Sequence, residues 1–230
     1  METWKKVVVI GGVGAAAALA AALISRRRSG MGDVITGRAG RQLTPTFNRM
    51  INGRRVQGFD ADDMTIEDKI GLLQDRVQAS VKNPEMRRLA LQITRKCEAR
   101  DDACEAAAIH DWVKKNIRYT GDIAPHQLDD GTVDSVDLFA SAQATVENGG
   151  GDCDEHVVLN STLAILNGIP AQIRVTSPTR MGKNNYTHVY ATFGLPKNSP
   201  SKWVACDTTL PGVTQFGTEW PYKRKIDAVA

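Results

Sequence analysis

The chain has 230 residues, 42% of them hydrophobic and 24% charged, and it carries a formal net charge of +3. This length gives one globular domain with appendages and argues against two full domains joined by a linker. The net charge is too small to indicate nucleic-acid binding, and four cysteines are too few for the disulfide framework of a small secreted domain.

The N-terminal stretch from Val7 to Ile24 is apolar and uncharged, with basic residues on both sides. It is close to the length of about 20 residues that spans a bilayer, so we predict that segment 1–28 is a hydrophobic helix that anchors the chain in a membrane through residues 7–24. A cleaved signal peptide, with small residues at 20–22 as its cleavage site, is one alternative. A dinucleotide-binding turn is another, because Gly12-x-Gly14 follows an apolar run, but no second strand ending in an acidic residue comes after it.

The excess of basic residues lies in the first quarter of the chain, and more of them follow the apolar stretch than precede it. The positive-inside tendency therefore predicts that the domain after the stretch lies on the cytoplasmic side of the membrane. Export after signal cleavage and association with a virion are the alternatives. Residues 29–59 are rich in Arg, Gly, Ser and Thr without periodicity, which predicts a basic, flexible linker.

The globular domain is predicted over residues 60–225, with a short tail at 226–230. Apolar residues recur at helical spacing in three segments, at 64–81, 84–96 and 103–116. The acidic stretch 122–137 is predicted to be a solvated loop, because it lacks the ligand spacing of a calcium-binding loop.

Two cysteines, Cys97 and Cys104, lie seven residues apart. In one continuous helix their α-carbons would be roughly 10 Å apart, which is beyond the reach of a disulfide. They could pair only across a helix-turn-helix. We expect two buried thiols in a reducing compartment.

A glycine-rich turn leads into a candidate nucleophile, because Gly149-Gly150-Gly151-Asp152 precedes Cys153. Apolar spacing in residues 157–166 predicts a core-facing helix that ends before Gly168 and Pro170. Cys153 then lies at the N-terminus of this helix, where unpaired backbone amides and the helix dipole lower the pKa of a thiol. The glycines allow backbone and substrate to approach the sulfur closely.

Two predicted strands supply a histidine and a carboxylate. His188 opens an alternating strand that extends to Phe193, and a turn around Pro196 leads to a second strand that ends at Asp207. A hairpin places the start of one strand beside the end of the next, so His188 and Asp207 become neighbours. Together with the thiol they provide a nucleophile, a base and a group that orients the base.

These motifs resemble the core of the transglutaminase-like superfamily, which has a papain-like fold. The similarity covers residues 62–222 and is carried by Gly151-Asp152-Cys153-Asp154-Glu155, Asn167-Gly168-Ile169-Pro170-Ala171, Thr187-His188-Val189-Tyr190, Trp203-Val204-x-x-Asp207-x-Thr209 and, upstream, His110-x-Trp112-Val113. Two further segments resemble short forms encoded in tailed bacteriophages and prophages, namely Leu210-Pro211-Gly212 and Phe216-Gly217-x-x-Trp220-Pro221.

The resemblance implies an α+β fold of this papain-like type, in which N-terminal helices and the helix of the catalytic cysteine pack on an antiparallel β-sheet. It also implies an enzyme with Cys153, His188 and Asp207 as its catalytic triad. Such an enzyme acts on amide bonds of a protein or peptide through a thioester, either by hydrolysis or by glutamine acyl transfer. No cofactor, metal or specific nucleic acid is expected. The alternative function is a catalytically silent domain that binds a membrane or a larger phage assembly.

Four other side chains are candidates for supporting roles in the site. Asp152 and Asp154 flank the sulfur, and His156 is expected beside the site rather than as its base, because the positive helix start disfavours an imidazolium. The backbone amide of Cys153 is the first candidate for the oxyanion donor, and Gln143 is the second.

A zinc site is an alternative use of the same region, because Cys153-x-x-His156 has a plausible ligand spacing and would be completed by His188 and Cys206. Strand alternation argues against it. Cys206 and Asp207 point to opposite faces, so a strand that presents Asp207 to His188 turns Cys206 away.

Overall fold

The structure, a computed structural model, describes residues 64–121, 140–179, 186–212 and 214–230 together with their side chains. In the remaining ranges it describes only the backbone of short strands, which are given below by their bounds.

Five helices form the helical layer, and their bounds are α1 Ile66–Ser80, α2 Pro84–Thr94, α3 Asp102–Asn116, α4 Ala142–Asn148 and α5 Cys153–Leu166. The first three correspond to the three predicted helical segments. Each begins at a capping side chain that satisfies an otherwise unpaired amide, as Thr65 does for α1 by accepting from the amide of Asp68. Helix α2 adds Pro84 at its first turn, where the missing N–H is no loss.

Helix α5 is the centre of the domain. It packs against each of the other four helices and, on another side, against two strands of the main sheet. Its residues from Glu155 to Ala164 are buried on every face, and Val157, Leu159 and Leu163 are fully buried. Because the helix is surrounded by other elements, the position of Cys153 at its start is fixed by packing from several directions.

The main sheet is antiparallel, as predicted, with the order β12-β11-β10-β13. Its strands are β10 Ala171–Ser177, β11 His188–Leu195, β12 Lys202–Cys206 and β13 Arg224–Val229. Strand β13 corrects the predicted tail at 226–230, because Arg224–Val229 pairs with β10 and alternates half-buried and exposed residues. Ile226 and Ala228 pack on the core from this edge.

A second, five-stranded sheet has the order β4-β5-β1-β8-β7. Its strands are β1 Lys6–Gly11, β4 Phe47–Ile51, β5 Arg54–Asp60, β7 His126–Gln127 and β8 Val133–Phe139. A separate pair joins β2 Ile35–Thr36 to β3 Gln42–Leu43.

This sheet corrects two predictions. The segment 29–59 was expected to be a linker without structure, yet most of β4 and β5 lies in it, separated by Asn52-Gly53, a dipeptide favoured in tight hairpins. The stretch 122–137 was expected to be a loop, yet β8 pairs in parallel with β1. Charges in both stretches hide the strands from a hydrophobicity pattern, and the pairing of β1 with β8 is too distant in sequence to be read locally.

The predicted N-terminal helix differs at its start, where residues 7–11 belong to β1 and pair with both β5 and β8. Val7-Val8-Val9-Ile10 is a run of β-branched residues, which favours a strand. Residues 12–24, the rest of the predicted helix, lie outside the described residues. In the described part of the chain, no helix combines the length and apolarity needed to cross a bilayer.

Cys97 and Cys104 form a disulfide, which corrects the expectation of two buried thiols. Helix α2 ends at Thr94 and α3 begins at Asp102, so no continuous helix separates the two cysteines. The turn between the helices, in which Arg100 adopts a positive φ of 71°, brings the two α-carbons to 5.7 Å. This is the helix-turn-helix case that the sequence left open.

Candidate active site

Cys153 is the first residue of α5 and is half-buried. Asp152 caps the helix by accepting from the amide of Asp154 at 2.8 Å, and Glu155 reaches back to the amide of Asp152 at 3.0 Å. This reciprocal cap holds the sulfur at the positive end of the helix, as predicted, and that position favours a thiolate.

The glycines before Cys153 are required by close packing. A Cβ on Gly151 would lie 2.5 Å from the Cβ of Glu155, so a larger residue there would displace the cap. Gly149 ends α4 with a positive φ of 64°, a conformation that glycine adopts without strain. Strand β9, Gly150–Gly151, pairs in parallel with β6, Arg118–Tyr119, so Tyr119 lies opposite Gly151.

Asp152, Cys153 and Asp154 bring three possible metal-ligand atoms within 4.8 Å of one another. The Asp152 carboxylate is already part of the helix cap, and Asp154 Oδ1 lies 3.9 Å from the sulfur. In the described part of the chain, Cys153, His156, His188 and Cys206 do not form such a group, so the ligand set of the zinc alternative is not assembled there.

Beneath the helix start lies a buried carboxyl group. Burial first, and then the charge of neighbouring Asp152, raise the pKa of Glu155 well above its ordinary value. Glu155 also accepts a hydrogen bond from the amide of Ala140 at 2.9 Å. It therefore ties the segment that leads into α4 to the start of α5.

His188 and Asp207 are brought together as predicted from the hairpin. Nε2 of His188 lies 2.7 Å from Oδ2 of Asp207, and Asp207 is only 1% exposed. The other carboxylate oxygen accepts from the Thr209 hydroxyl at 2.7 Å and from the Thr209 amide at 3.1 Å. Burial by itself would raise the pKa of Asp207, but the bond and charge of His188 and the two bonds from Thr209 hold that pKa below its ordinary value.

His156 lies beside this pair rather than in it. Its Nδ1 is 2.7 Å from the hydroxyl of Thr208, the residue after Asp207, and the same hydroxyl accepts from Asn160 at 2.8 Å. Burial lowers the pKa of His156 to about 4, and the charge of Asp207 only partly opposes this. A neutral, buried histidine tied to Thr208 fits the supporting position expected for it.

The side-chain amide of Gln143, the second candidate for the oxyanion donor, is engaged by other residues. It lies on α4, and its amide nitrogen donates to Glu85 at 3.1 Å and to Glu147 at 2.8 Å, while its oxygen accepts from Asn83. All these partners belong to the contact between α2 and α4. No sequence pattern indicates on which side of α4 this side chain lies.

Cys206 is fully buried at the end of β12. Burial, and then the nearby charges of Asp207 and Asp111, raise the pKa of its thiol well above the ordinary value. Of the two free cysteines in the described residues, Cys153 is thus the one in a reactive environment.

A cleft of about 770 Å³ opens at His188. Several residues that line it were not predicted from the sequence, and the informative ones are Lys114, Arg118, Tyr119, Trp220 and Tyr222. Lys114 donates from Nζ to the carbonyl of Leu210. These residues come from the end of α3, from β6 and from the segment before β13, so no local pattern could have grouped them.

The wall that contains Trp220 is held by a polar cluster. Glu219 accepts from Arg174 Nη1 at 3.3 Å and from the hydroxyl of Tyr190. Arg174 also binds Asp227 with two hydrogen bonds, of 2.6 and 3.0 Å. The ring of Tyr190 lies 5.5 Å from that of His188, so the cluster connects the cleft wall to the strand of the histidine.

Residues 87–208 match the model of the transglutaminase-like superfamily. Among solved structures, the chain is similar to a candidate cysteine protease from Cytophaga hutchinsonii, with 19% identity, a TM-score of 0.41 and coverage of 68% of this chain and 52% of that one. It is also similar to a candidate protease from Parabacteroides distasonis, with 13% identity, a TM-score of 0.40 and coverage of 78% of this chain and 37% of that one. The chain thus spans about half or less of the length of these two proteins.

Curated proteins yield no sequence match to the chain. The superfamily match, however, covers more than half of the chain and includes Cys153, His188 and Asp207. The chain therefore belongs to the transglutaminase-like superfamily.

Proposed function

We propose that the protein is a cysteine-nucleophile enzyme that acts on amide bonds of a protein or peptide through a thioester. Cys153 is the nucleophile, His188 the base and Asp207 the group that orients the histidine. The observation that carries the proposal is the His188–Asp207 contact of 2.7 Å, in which a buried carboxylate binds a histidine that lines a cleft. A pair with only a structural role would not require the histidine to be accessible from a cleft.

The contact leaves one ring nitrogen for the chemistry. Because Nε2 of His188 is bound to Asp207, Nδ1 is the atom that accepts the proton of the thiol. The thiolate then attacks the amide carbonyl, and the C–N bond breaks as His188 returns the proton to the leaving amine. Attack of water on the thioester completes hydrolysis, whereas attack of a second amine completes acyl transfer.

Stabilisation of the oxyanion is assigned to the helix start. We retain the backbone amide of Cys153 as the donor, because it belongs to the same first turn as the sulfur and points with the helix dipole. The cap formed by Asp152 and Glu155 keeps that turn rigid. Rigid donors need no reorganisation when charge develops on the carbonyl oxygen.

Alkylation with iodoacetamide at pH 7, followed by mass spectrometry of peptides, tests the nucleophile. We expect Cys153 to react on the order of 100-fold faster than buried Cys206 within the same molecule. His188→Ala should slow the alkylation of Cys153 without changing that of Cys206, since the histidine stabilises the thiolate.

The assignment of Cys153 as nucleophile also predicts how turnover responds to its substitution. Cys153→Ala should abolish hydrolysis or acyl transfer of any substrate while leaving the unfolding transition in place, because a half-buried thiol contributes little to the core. If Cys153 alkylates no faster than Cys206, the enzymatic proposal fails and a catalytically silent binding domain takes its place. If Cys153 loses its reactivity in His156→Ala but not in His188→Ala, then His156, and not His188, is the base.

A further inference from the structure

The cleft beside His188 has a one-sided charge. Lys114 and Arg118 contribute cationic side chains to its wall, and among the described residues that line it there is no carboxylate. Neighbouring cations without a matching anion raise the local concentration of negatively charged ligands, and low-dielectric walls strengthen this effect. The lining therefore favours a negatively charged group on whatever the cleft binds.

Lys114 lies close to the charged groups of the site. It is half-buried at the end of α3. Burial lowers the pKa of its ammonium against the opposing effect of the charge of Asp207, and besides burial its own charge helps to lower the pKa of His156. Its Nζ donates to the carbonyl of Leu210, which fixes the ammonium at the wall, and no carboxylate of the described residues forms a salt bridge with it. Asp207 itself is fully engaged by His188 and Thr209, so the charge of Lys114 faces the cleft.

Arg118 and Tyr119 form the rim on the nucleophile side. Both belong to β6, whose partner strand β9 leads directly into Cys153. The described contacts of Arg118 are made by its backbone, which donates to the carbonyl of Gly149 at 2.9 Å, and its side chain is exposed. Arg118 is paired with Gly150 and Tyr119 with Gly151, which precede Cys153 by three and two residues.

Large aromatic side chains complete the cleft. Tyr119 is 46% exposed and Trp220 is 53% exposed, so both rings offer accessible surface at the cleft. Tyr222 lies on the same wall as Trp220. Flat aromatic faces suit the backbone and apolar parts of an extended peptide, and a cleft of about 770 Å³ holds a few residues of one.

We propose that this cleft binds the peptide acyl donor through an acidic side chain, which Lys114 and Arg118 contact. The inference rests on the proposed function only in naming the bound peptide as the acyl donor of Cys153. The aromatic residues give contact area, and the two cations select the charge. An aspartate or glutamate near the reactive amide is thus preferred over its neutral amide counterpart.

Binding to the full-length Cys153→Ala variant tests the preference without any catalytic step. The ligands are two N-acetylated, C-amidated tetrapeptides, Ala-Ala-Asp-Ala and Ala-Ala-Asn-Ala, which have the same shape and differ in one charge. By calorimetric titration at low salt, we expect the aspartate peptide to bind about fivefold more tightly, since each pair is partly exposed to solvent. The preference should shrink at high salt, because salt screens exposed charges.

Substitutions then identify the residues that cause the preference for the charged peptide. Lys114→Met and Arg118→Gln, each added to Cys153→Ala, should reduce the preference to about twofold. Lys115→Met on the neighbouring, exposed position of α3 is the matched control and should leave it unchanged. Arg118→Gln also guards against a folding defect in Lys114→Met, because the Arg118 side chain carries none of the described contacts.

Equal affinities of the two peptides would overturn the inference, as would an unchanged preference in both Lys114→Met and Arg118→Gln. These outcomes are separate from the fate of the proposed function. A reactive Cys153 without charge preference rejects only the acidic substrate, whereas charge preference with an unreactive Cys153 rejects only the catalysis.

Discussion

The hydroxyl of Thr208 lies 2.7 Å from Nδ1 of His156, and this contact joins the helix that begins at Cys153 to the residue that follows Asp207. Asn160, one turn further along α5, donates to the same hydroxyl at 2.8 Å. All three side chains are buried. Besides the packing of α5 on β11, one threonine thus links the helix of the nucleophile to the histidine–carboxylate pair.

We predict that Thr208→Val, which keeps the shape but removes the hydroxyl, slows alkylation of Cys153 roughly tenfold, because small displacements of reacting groups are costly. Its free energy of unfolding should fall by about 1–3 kcal/mol, since His156 and Asn160 lose a buried partner. Thr208→Ser should restore both values. Urea unfolding and the rate of iodoacetamide labelling give the two readouts.

Thr162→Val is the matched control for that substitution. Thr162 is also buried on α5, but its hydroxyl donates to the carbonyl of Val158 within the same helix at 2.7 Å. We expect it to leave the reactivity of Cys153 unchanged. Wild-type reactivity in Thr208→Val would show that the contact stabilises the fold without positioning the site.

A second prediction concerns Asp207. In Asp207→Asn the neutral amide stabilises the His188 imidazolium less and can turn its NH2 toward Nε2, which favours the ring orientation and tautomer in which Nδ1 is not the acceptor, so turnover should fall by about 100-fold or more. Thr209→Val, which removes one hydrogen bond to the carboxylate, should cost less, about tenfold. Steady-state rates on a peptide substrate provide the measurement.

The comparison variant is Asp227→Asn, which weakens another partly buried carboxylate of the same sheet. Asp227 binds Arg174 at the far edge, on β13. It should lower stability while retaining most of the turnover. Equal losses in Asp207→Asn and Asp227→Asn would mean that general destabilisation, and not orientation of His188, explains the effect.

The central part of the site could be predicted because its signals are local. Three glycines before Cys153 and an apolar run after it define a helix start, and two alternating segments joined at Pro196 define a hairpin. Each inference needs only neighbours in sequence and the geometry of one element. The hairpin brings His188 and Asp207 to the same end of β11 and β12, and the contact between them was predicted on that ground.

The parts that could not be predicted depend on contacts between distant segments. Prediction of the disulfide requires knowing where α2 ends. Prediction of the contacts of Gln143 requires knowing how α4 packs on α2. Lys114 was expected only as the end of a helix, and its place in the cleft follows from the return of the chain at Leu210. The spacing of residues in the sequence does not indicate such long-range contacts until the fold is known.

A third prediction follows from the buried His156. Its pKa is about 4 in the folded protein against an ordinary value of 6.5, so the unfolded chain takes up this proton first as the pH falls. Stability should therefore decrease as the pH drops from 6.5 to 4, and His156 alone accounts for about 2 kcal/mol of loss between pH 7 and pH 4.5. When the free energy of unfolding is measured with urea at several pH values in this range, it should change less steeply with pH in His156→Gln than in the wild type.

Comparison of the two profiles isolates the histidine. Glu155 acts in the opposite direction, because its raised pKa makes the folded state bind a proton more readily than the unfolded chain, but it is present in both proteins. Its contribution cancels in the difference between them. Parallel profiles for wild type and His156→Gln would show that His156 is not held neutral in the folded state.

The last prediction concerns the compartment in which the domain works. Disulfides persist in oxidising compartments, so the Cys97–Cys104 bond favours the exported alternative over a cytoplasmic location.

In protein prepared without reductant, we expect denaturing thiol titration to find two free thiols, Cys153 and Cys206, and not four. Cys97→Ala with Cys104→Ala should lower the free energy of unfolding by about 2 kcal/mol, since the closed loop is short. Exported protein should also be cut by protease added to intact spheroplasts. Four free thiols and full protection from the protease would instead place the domain in the cytoplasm, as the distribution of basic residues around the N-terminal stretch predicts.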